Sequence, residues 1–196
     1  MSVEFREWPK MARLSREIII TEKIDGTNSS VFIQNEALED GADPNIIARK
    51  DGYTMRAGSR TRWITPSDDN HGFANWVVKN QDCLFQLGEG HHFGEWWGSG
   101  IQSGYGLQKG EKRFSLFNVV RWAENKPSCC EVVPVLFRGP FDTSLINQTL
   151  ADLEKNGSYA APGFMKPEGI IVWHTAANIG FKKTIHKDEL PKSLVK

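Results

Sequence analysis

Short apolar segments alternate with polar and glycine-containing turns along most of this chain. Within the segments, apolar residues recur with a period of two or form brief continuous runs, and both patterns are typical of β-strands. They predict strands over residues 18–20, 30–34, 46–49, 84–87, 114–122, 132–137, 168–173 and 179–183.

Two segments instead show helical spacing. The first begins after Asp142, which is a suitable N-cap, and ends at Gly157. The second follows Ser67 and places Phe73 and Trp76 on one face. Because predicted strands outnumber predicted helices, the sequence indicates an α+β fold with antiparallel sheets and flanking helices.

Composition narrows the class of protein. With 196 residues, the chain is expected to form one domain over residues 1–196. Its 24 basic and 24 acidic residues give no net charge, so a polyanion would need a local basic patch. Three cysteines, two of them adjacent, suit neither a disulfide framework nor a zinc site and favour a reducing compartment. The N-terminus has no apolar stretch of signal-peptide length, so we expect a cytoplasmic protein.

A possible nucleophile follows the apolar run at residues 18–20. Lys23 lies at the end of that predicted strand, in the sequence Glu22-Lys23-Ile24-Asp25-Gly26. A surface lysine is only about 0.04% neutral amine at pH 7, but burial and nearby positive charge can activate it for covalent catalysis. Gly26 would let a phosphate approach the backbone. The alternative is a strand that simply ends in a polar turn.

Four further motifs follow in order. Glu95 lies between glycine and tryptophan, and it either accepts a hydrogen bond from a ribose hydroxyl or is a solvated residue of a turn. Phe117 lies in a predicted strand, and its ring either stacks on a purine or belongs to the core. Glu168 begins a buried strand, where its carboxylate is a candidate metal contact. Lys182 and Lys183 end another strand, where they are candidates to bind phosphate oxygens. The glycine-rich segment 98–110 is either a phosphate cradle or a flexible connection.

In this order, the five motifs resemble the nucleotidyltransferase domain of ATP-dependent polynucleotide ligases and mRNA capping enzymes. Glu22 before the lysine and Thr27-Asn28 after Gly26 make the sequence most similar to the RNA ligases, including those of bacteriophages and of kinetoplastid RNA editing. The resemblance extends from about Glu22 to Lys183, which is most of the chain.

The resemblance implies a role for each motif. Lys23 would attack the α-phosphate of ATP, assisted by Mg²⁺ or Mn²⁺, and form a lysyl-AMP. AMP would then pass to an RNA 5′-phosphate, and a 3′-hydroxyl would complete the joint. The residues implied at the nucleotide are Glu22, Ile24, Asp25, Gly26, Asn28, Arg60, Glu95 (ribose), Phe117 (adenine), Glu168 (metal) and the catalytic lysines Lys182 and Lys183.

Two departures from the family pattern stand out. Asn118 follows the stacking phenylalanine where many members carry aspartate. The two lysines of the last motif are adjacent, so in a strand they would face opposite sides, and we favour Lys182 as the one at the phosphate.

RNA is the expected partner, and a run of cations is its predicted track. Five cations occur within residues 49–62 against one acid, Asp51. Such a run of cations either binds a polyanion along its length or forms an ordinary solvated face of the protein. These cations are Arg49, Lys50, Arg56, Arg60 and Arg62.

Other functions stay open at this point. A minimal DNA ligase, a GTP-dependent guanylyltransferase and a non-catalytic RNA-end binding protein are the alternatives. Only thirteen residues follow Lys183, too few for the further domain that the family usually appends. A helper protein is therefore a possible second partner.

Overall fold

The computed structural model describes residues 3–36, 43–186 and 188, which form eleven strands and three α-helices. The strands are β1 (Glu17–Lys23), β2 (Thr27–Asn35), β3 (Ile46–Lys50), β4 (Tyr53–Ser59), β5 (Trp63–Ile64), β6 (Gly90–Gly98), β7 (Lys112–Leu116), β8 (Glu131–Val132), β9 (Val135–Pro140), β10 (Gly169–His174) and β11 (Ile179–Thr184). The helices are α1 (Phe73–Lys79), α2 (Gln81–Leu84) and α3 (Thr143–Asn156).

The strands form two sheets. A four-stranded sheet has the order β11-β10-β1-β9, and a seven-stranded sheet has the order β3-β4-β2-β6-β7-β8, with β5 paired to β4. All pairings are antiparallel except β7 with β8. The predicted α+β class with antiparallel sheets is therefore confirmed.

Each sheet buries its outer face against helices. In the four-stranded sheet, Ile18, Ile20 and Ile170 pack with Leu153 of α3. In the seven-stranded sheet, Val31 and Ile33 belong to a core that includes α1 and α2. Strand alternation then turns Thr21 and Lys23 to the inner face of the first sheet, and Asn28 to the inner face of the second.

Helix α3 agrees with its prediction because the signals that define it are local. The Asp142 carboxylate accepts hydrogen bonds from the backbone N–H groups of Ser144 and Leu145, at 2.7 and 3.3 Å, and Gly157 follows the last turn. Helix α1 begins later than expected, after Gly72. The carboxylate of Asp69 accepts from the N–H groups in its first turn.

Three predicted strands were wrong in whole or part. Residues 84–87 are helical, and Leu84 and Leu87 are buried at a spacing of three. Residues 132–137 are split at Pro134, which has no N–H for a ladder. The strand predicted over 114–122 ends at Leu116, because Asn118 forms a turn in which its side chain accepts from the N–H of Arg121.

Candidate nucleotide-binding cleft

Lys23 lies at the carboxyl end of β1, on the inner face of the four-stranded sheet. Its ammonium group forms an ion pair with the carboxylate of Glu168, which directly precedes β10. Both side chains are largely withdrawn from water, with 19% and 12% exposed. The antiparallel register pairs Lys23 with Gly169, so the predicted nucleophile and the predicted metal contact meet although 145 residues separate them.

The turn after Lys23 is held by hydrogen bonds from distant segments. The phenolic oxygen of Tyr105 accepts from the N–H of Asp25 at 3.1 Å and from the N–H of Glu168 at 3.4 Å, and it lies 3.4 Å from the carbonyl oxygen of Lys23. Tyr105 is buried and adopts a positive φ of 51°. This one side chain therefore fixes the nucleophile's turn relative to the start of β10.

Gly26 is required for close packing of the turn against strand β6. Its N–H donates to the carboxylate of Glu95 at 3.1 Å. A Cβ atom added to Gly26 would lie 2.5 Å from the carbonyl oxygen of Trp96 and 2.8 Å from Cβ of Trp97. Strand β6 therefore fills the space on the Cβ side of Gly26, and the approach of a phosphate to the Gly26 backbone stays a prediction.

Glu95 lies in β6, opposite Asn28 of β2, on the inner face of the seven-stranded sheet. Burial raises the pKa of its carboxyl group from 4.5 to about 7. The positive charge of Lys23 and the bond from Gly26 oppose this rise, whereas the charges of Glu168 and Asp25 add to it. Glu95 is therefore a half-buried acceptor within a group of carboxylates around Lys23, and not the solvated turn residue of the alternative interpretation.

The side chains of Glu22 and Ile24 do not reach the cleft. The carboxylate of Glu22 is buried on the opposite face, where it accepts from the hydroxyl of Ser158 at 2.6 Å and from the N–H groups of Tyr159 and Ala160 at 2.8 and 2.9 Å. Burial raises its pKa despite these bonds. Ile24 is buried beside Trp97. The expected nucleotide contacts by these two side chains are corrected accordingly: the Glu22 carboxylate anchors residues 158–160 by hydrogen bonds, and Ile24 packs in the core.

The register separates the two lysines of β11. Lys182 is paired with Ile171, which is on the same face as Lys23, whereas Lys183 is paired with Ile170 of the α3 core. Directly paired residues share a face. Lys182 therefore lies on the inner face, and the predicted catalytic role of Lys183 is corrected, because its side chain starts from the outer face.

Phe117 follows β7 and lies at the inner surface of the seven-stranded sheet. Its N–H donates to the carbonyl oxygen of Phe93 at 3.0 Å, and its side chain is 39% exposed. An exposed ring here does not belong to the core. Its stacking on adenine stays a prediction.

The predicted cation track divides into two parts. Arg56 is 6% exposed and is paired with Glu36 and Asp43, at 2.9 and 2.8 Å, so its assignment to nucleic acid is wrong. These acids follow β2 and precede β3, outside the segment that suggested the track.

The other four cations are more accessible. Lys50 is paired with Asp82 at 3.0 Å and Arg62 with Asp68 at 2.6 Å, both at exposed positions. Arg49 and Arg60 form no ion pair with any residue that the structure describes. Arg60 lies in the β4–β5 turn, and β4 pairs with β2 near its first residues, so Arg60 is at the end of the sheet that holds Asn28.

Sequence reasoning missed Tyr105. Its three backbone contacts cross 63 to 82 positions of the chain, and no local pattern encodes them. The only available signal was an isolated aromatic residue within the glycine-rich segment 98–110. That segment holds the nucleophile's turn in place and is more than a flexible connection.

Two largely antiparallel sheets, with Lys23 at the end of a strand of the first and its charge acting on Glu95 of the second, are the arrangement of a nucleotidyltransferase-type fold. The RNA ligase family model matches residues 16–187. The chain therefore belongs to the RNA ligase family.

Solved structures of Naegleria gruberi RNA ligase variants share this fold. A variant with ATP and Mn has a TM-score of 0.62 at 15% identity, and a second variant with ATP and Mn has a TM-score of 0.60 at 16% identity; each match covers 88% of this chain and 51% of the other. A variant with AMP and Mn matches with a TM-score of 0.57 at 16% identity, over 87% of this chain and 50% of the other.

This chain thus spans about half the length of the solved structures that it matches. No curated protein sequence matches it significantly. Within the part of the chain that the structure describes, no helix combines the length and the apolar character that crossing a membrane requires.

Proposed function

We propose that the protein is an ATP-dependent RNA ligase that works through an AMP group covalently bound to Lys23. The observation that carries the proposal is the position of Lys23. Its amine lies in a cleft, against the carboxylate of Glu168 and within electrostatic range of Glu95, in a chain of the RNA ligase family.

In the first step, the neutral amine of Lys23 attacks the α-phosphorus of ATP. A nitrogen–phosphorus bond forms, the bond to the bridging oxygen breaks, and pyrophosphate leaves with the electron pair. Before the attack, Lys23 must separate from Glu168 and lose one proton to water, and its nitrogen loses a second proton to water as the phosphoramidate forms. Lys182 is on the correct face to stabilise charge on the phosphate, and such positioned charge is the main source of catalysis in phosphoryl-type transfer.

The remaining nucleotide contacts follow from the geometry of the inner faces. Glu95 offers a half-buried acceptor for the ribose hydroxyls, and Asn28 lies directly opposite it. Phe117 offers an exposed ring for adenine. Tyr105 acts by positioning, because its hydrogen bonds fix the turn that carries Lys23.

The carboxylates around Lys23 fit Mg²⁺ or Mn²⁺ as a partner of the triphosphate. The described residues contain no preformed group of three metal-ligating side chains. Mg²⁺ commonly binds through one or two carboxylates, water and substrate phosphates, so Glu168 suffices on the protein side. When bound, such an ion would neutralise charge on the phosphates.

The joining steps use the same cleft. AMP moves from Lys23 to the RNA 5′-phosphate, which creates an activated diphosphate linkage and restores the amine. The RNA 3′-hydroxyl then attacks the 5′-phosphorus and releases AMP. The accessible cations Arg49, Lys50, Arg60 and Arg62 would hold the RNA phosphates, and a helper protein could orient the ends.

Labelling with nucleotide tests the proposal and its alternatives. We expect label from ATP carrying α-³²P, in the presence of Mg²⁺, to become covalently attached to the wild type and not to Lys23→Ala. Lys183→Ala is the matched control, because its lysine starts from the outer face. Label from GTP would instead indicate a guanylyltransferase, and no label from either nucleotide would favour an RNA-end binding protein.

The polynucleotide is decided next. The adenylated protein is given nicked RNA, nicked DNA or single-stranded RNA, and sealing of DNA alone would indicate a DNA ligase. A cytoplasmic location remains a prediction from the cysteine usage and the composition of the N-terminus, and cell fractionation would test it.

A further inference from the structure

Four ring-bearing side chains form an aromatic platform on the inner face of the seven-stranded sheet, and the proposed chemistry does not use them. The platform consists of Phe32, Trp63, His91 and Phe93. Phe32 is paired with His91 across β2 and β6, and Trp63 is paired with Gly58 of β4. The rings therefore come from the three strands β5, β2 and β6, and the platform crosses β4 at Gly58.

The rings of the platform contact one another in a continuous series. The centroids of Trp63 and His91 are 5.7 Å apart with an interplanar angle of 29°, and those of His91 and Phe93 are 4.0 Å apart at 32°. Phe32 contacts His91 edge-on at 5.4 Å. The hydroxyl of Ser30 lies 2.9 Å from Nε2 of His91 and fixes that ring.

The aromatic platform is held in place by these contacts, yet two of its rings are exposed to solvent. Trp63 is 37% exposed and Phe93 is 48% exposed. Large apolar rings that cluster on a sheet surface commonly mark a binding site rather than a stable solvent-facing surface.

The platform continues directly from the predicted nucleotide site. Phe93 and His91 lie two and four residues from Glu95 in β6, which corresponds to about 7 and 13 Å along the strand. Arg60 and Arg62 precede Trp63 in the β4–β5 turn, at the other end of the platform. Arg62 is paired with Asp68, whereas Arg60 is exposed and forms no ion pair with any described residue. Exposed aromatic rings beside cations are the usual surface for single-stranded nucleic acid, since bases stack on the rings while cations hold the phosphates.

We propose that the aromatic platform stacks on unpaired bases of the RNA, so that the enzyme favours ends with single-stranded nucleotides over a fully paired nick. A paired A-form helix keeps its base faces stacked inside and offers the platform nothing to contact. This inference rests on the proposed function, because RNA is taken as the substrate.

Abasic RNA tests the proposal directly. The probe is a short single-stranded RNA with a 5′-phosphate, compared by fluorescence anisotropy with the same RNA lacking bases at two positions near that end. We expect the wild type to bind the intact RNA more tightly, by about 5- to 150-fold per stacked base. Trp63→Ala should reduce this ratio at least about 5-fold, whereas Trp63→Phe should restore most of it.

Phe181→Ala is the matched control. Phe181 is 57% exposed, but it is paired with Val172 of the α3 core and so lies on an outer face. Phe181→Ala should leave the ratio of affinities for intact and abasic RNA unchanged. His91→Ala is the second platform variant, in case Trp63→Ala does not fold.

Formation of lysyl-AMP is measured in parallel and should be unchanged in Trp63→Ala. Equal binding of intact and abasic RNA by the wild type would overturn the inference, and a protein partner would then be the better occupant. A loss of ATP labelling in Trp63→Ala would also overturn it, since the platform would then serve ATP. Absence of labelling in the wild type refutes the proposed ligase but leaves the base preference measurable.

Discussion

The raised pKa of Glu95 predicts that replacing this carboxylate will stabilise the protein, but only at higher pH. Glutamine keeps the size of the side chain and the oxygen that accepts from the N–H of Gly26. What changes is the ionisable proton. Because burial raises the pKa from 4.5 to about 7, the folded state binds this proton more tightly than the unfolded state.

The sign and size of the effect follow from linkage. The stabilising contribution of Glu95 to the free energy of unfolding is fully present below pH 4.5 and is lost as the pH rises through about 7. Between about pH 5 and pH 8 the loss amounts to about 2 to 3 kcal/mol. Relative to the wild type, Glu95→Gln should therefore gain that amount of unfolding free energy over the interval, or about 5 to 10 °C in Tm for a domain of this size.

Urea unfolding at both pH values measures the difference. Glu89→Gln is the matched control, since Glu89 is exposed and likewise accepts a backbone N–H, that of Asn35, at 3.2 Å. Its effect should be the same at both pH values. If Glu95→Gln destabilises the protein equally at pH 5 and pH 8, the reasoning about burial of Glu95 is refuted.

Three further predictions concern the cleft. Gly26→Ala should cost about 1 to 3 kcal/mol of unfolding free energy, because its Cβ would lie 2.5 Å from the carbonyl oxygen of Trp96; an unchanged urea midpoint would contradict this. Tyr105→Phe should slow lysyl-AMP formation in single-turnover assays without changing ATP affinity, because the N–H of Asp25 loses its hydrogen-bond acceptor. An unchanged rate would show that Tyr105 does not position Lys23. Lys182→Ala should slow the same step more than Lys183→Ala does, and the reverse order would show that the β11 register is wrong.

Features encoded by neighbouring residues could be predicted from the sequence. Helix α3 is one such case, because the Asp142 cap and the closing Gly157 lie within the segment that they define. Strand β1 is another, since its apolar run directly precedes Lys23. That Lys182 and Lys183 lie on opposite faces needed only strand alternation, and the register agrees, with Lys182 on the inner face.

Features that depend on distant partners could not be predicted in this way. Arg56 reads as a surface cation until the structure brings Glu36 and Asp43 to it. Strand β6 has three glycines and two adjacent histidines among its nine residues, and its pairing with β2 on one side and β7 on the other is what makes it a strand. No periodicity reveals either fact.

The central claim is that the amine of Lys23 becomes linked to AMP. Intact-mass spectrometry after incubation with ATP and Mg²⁺ or Mn²⁺ tests it directly, and peptide mapping then locates the group. We predict a gain of one AMP on the peptide that contains Lys23 and no gain in Lys23→Ala. An unchanged mass with every triphosphate and divalent ion supplied, or AMP on a different lysine, would contradict the account.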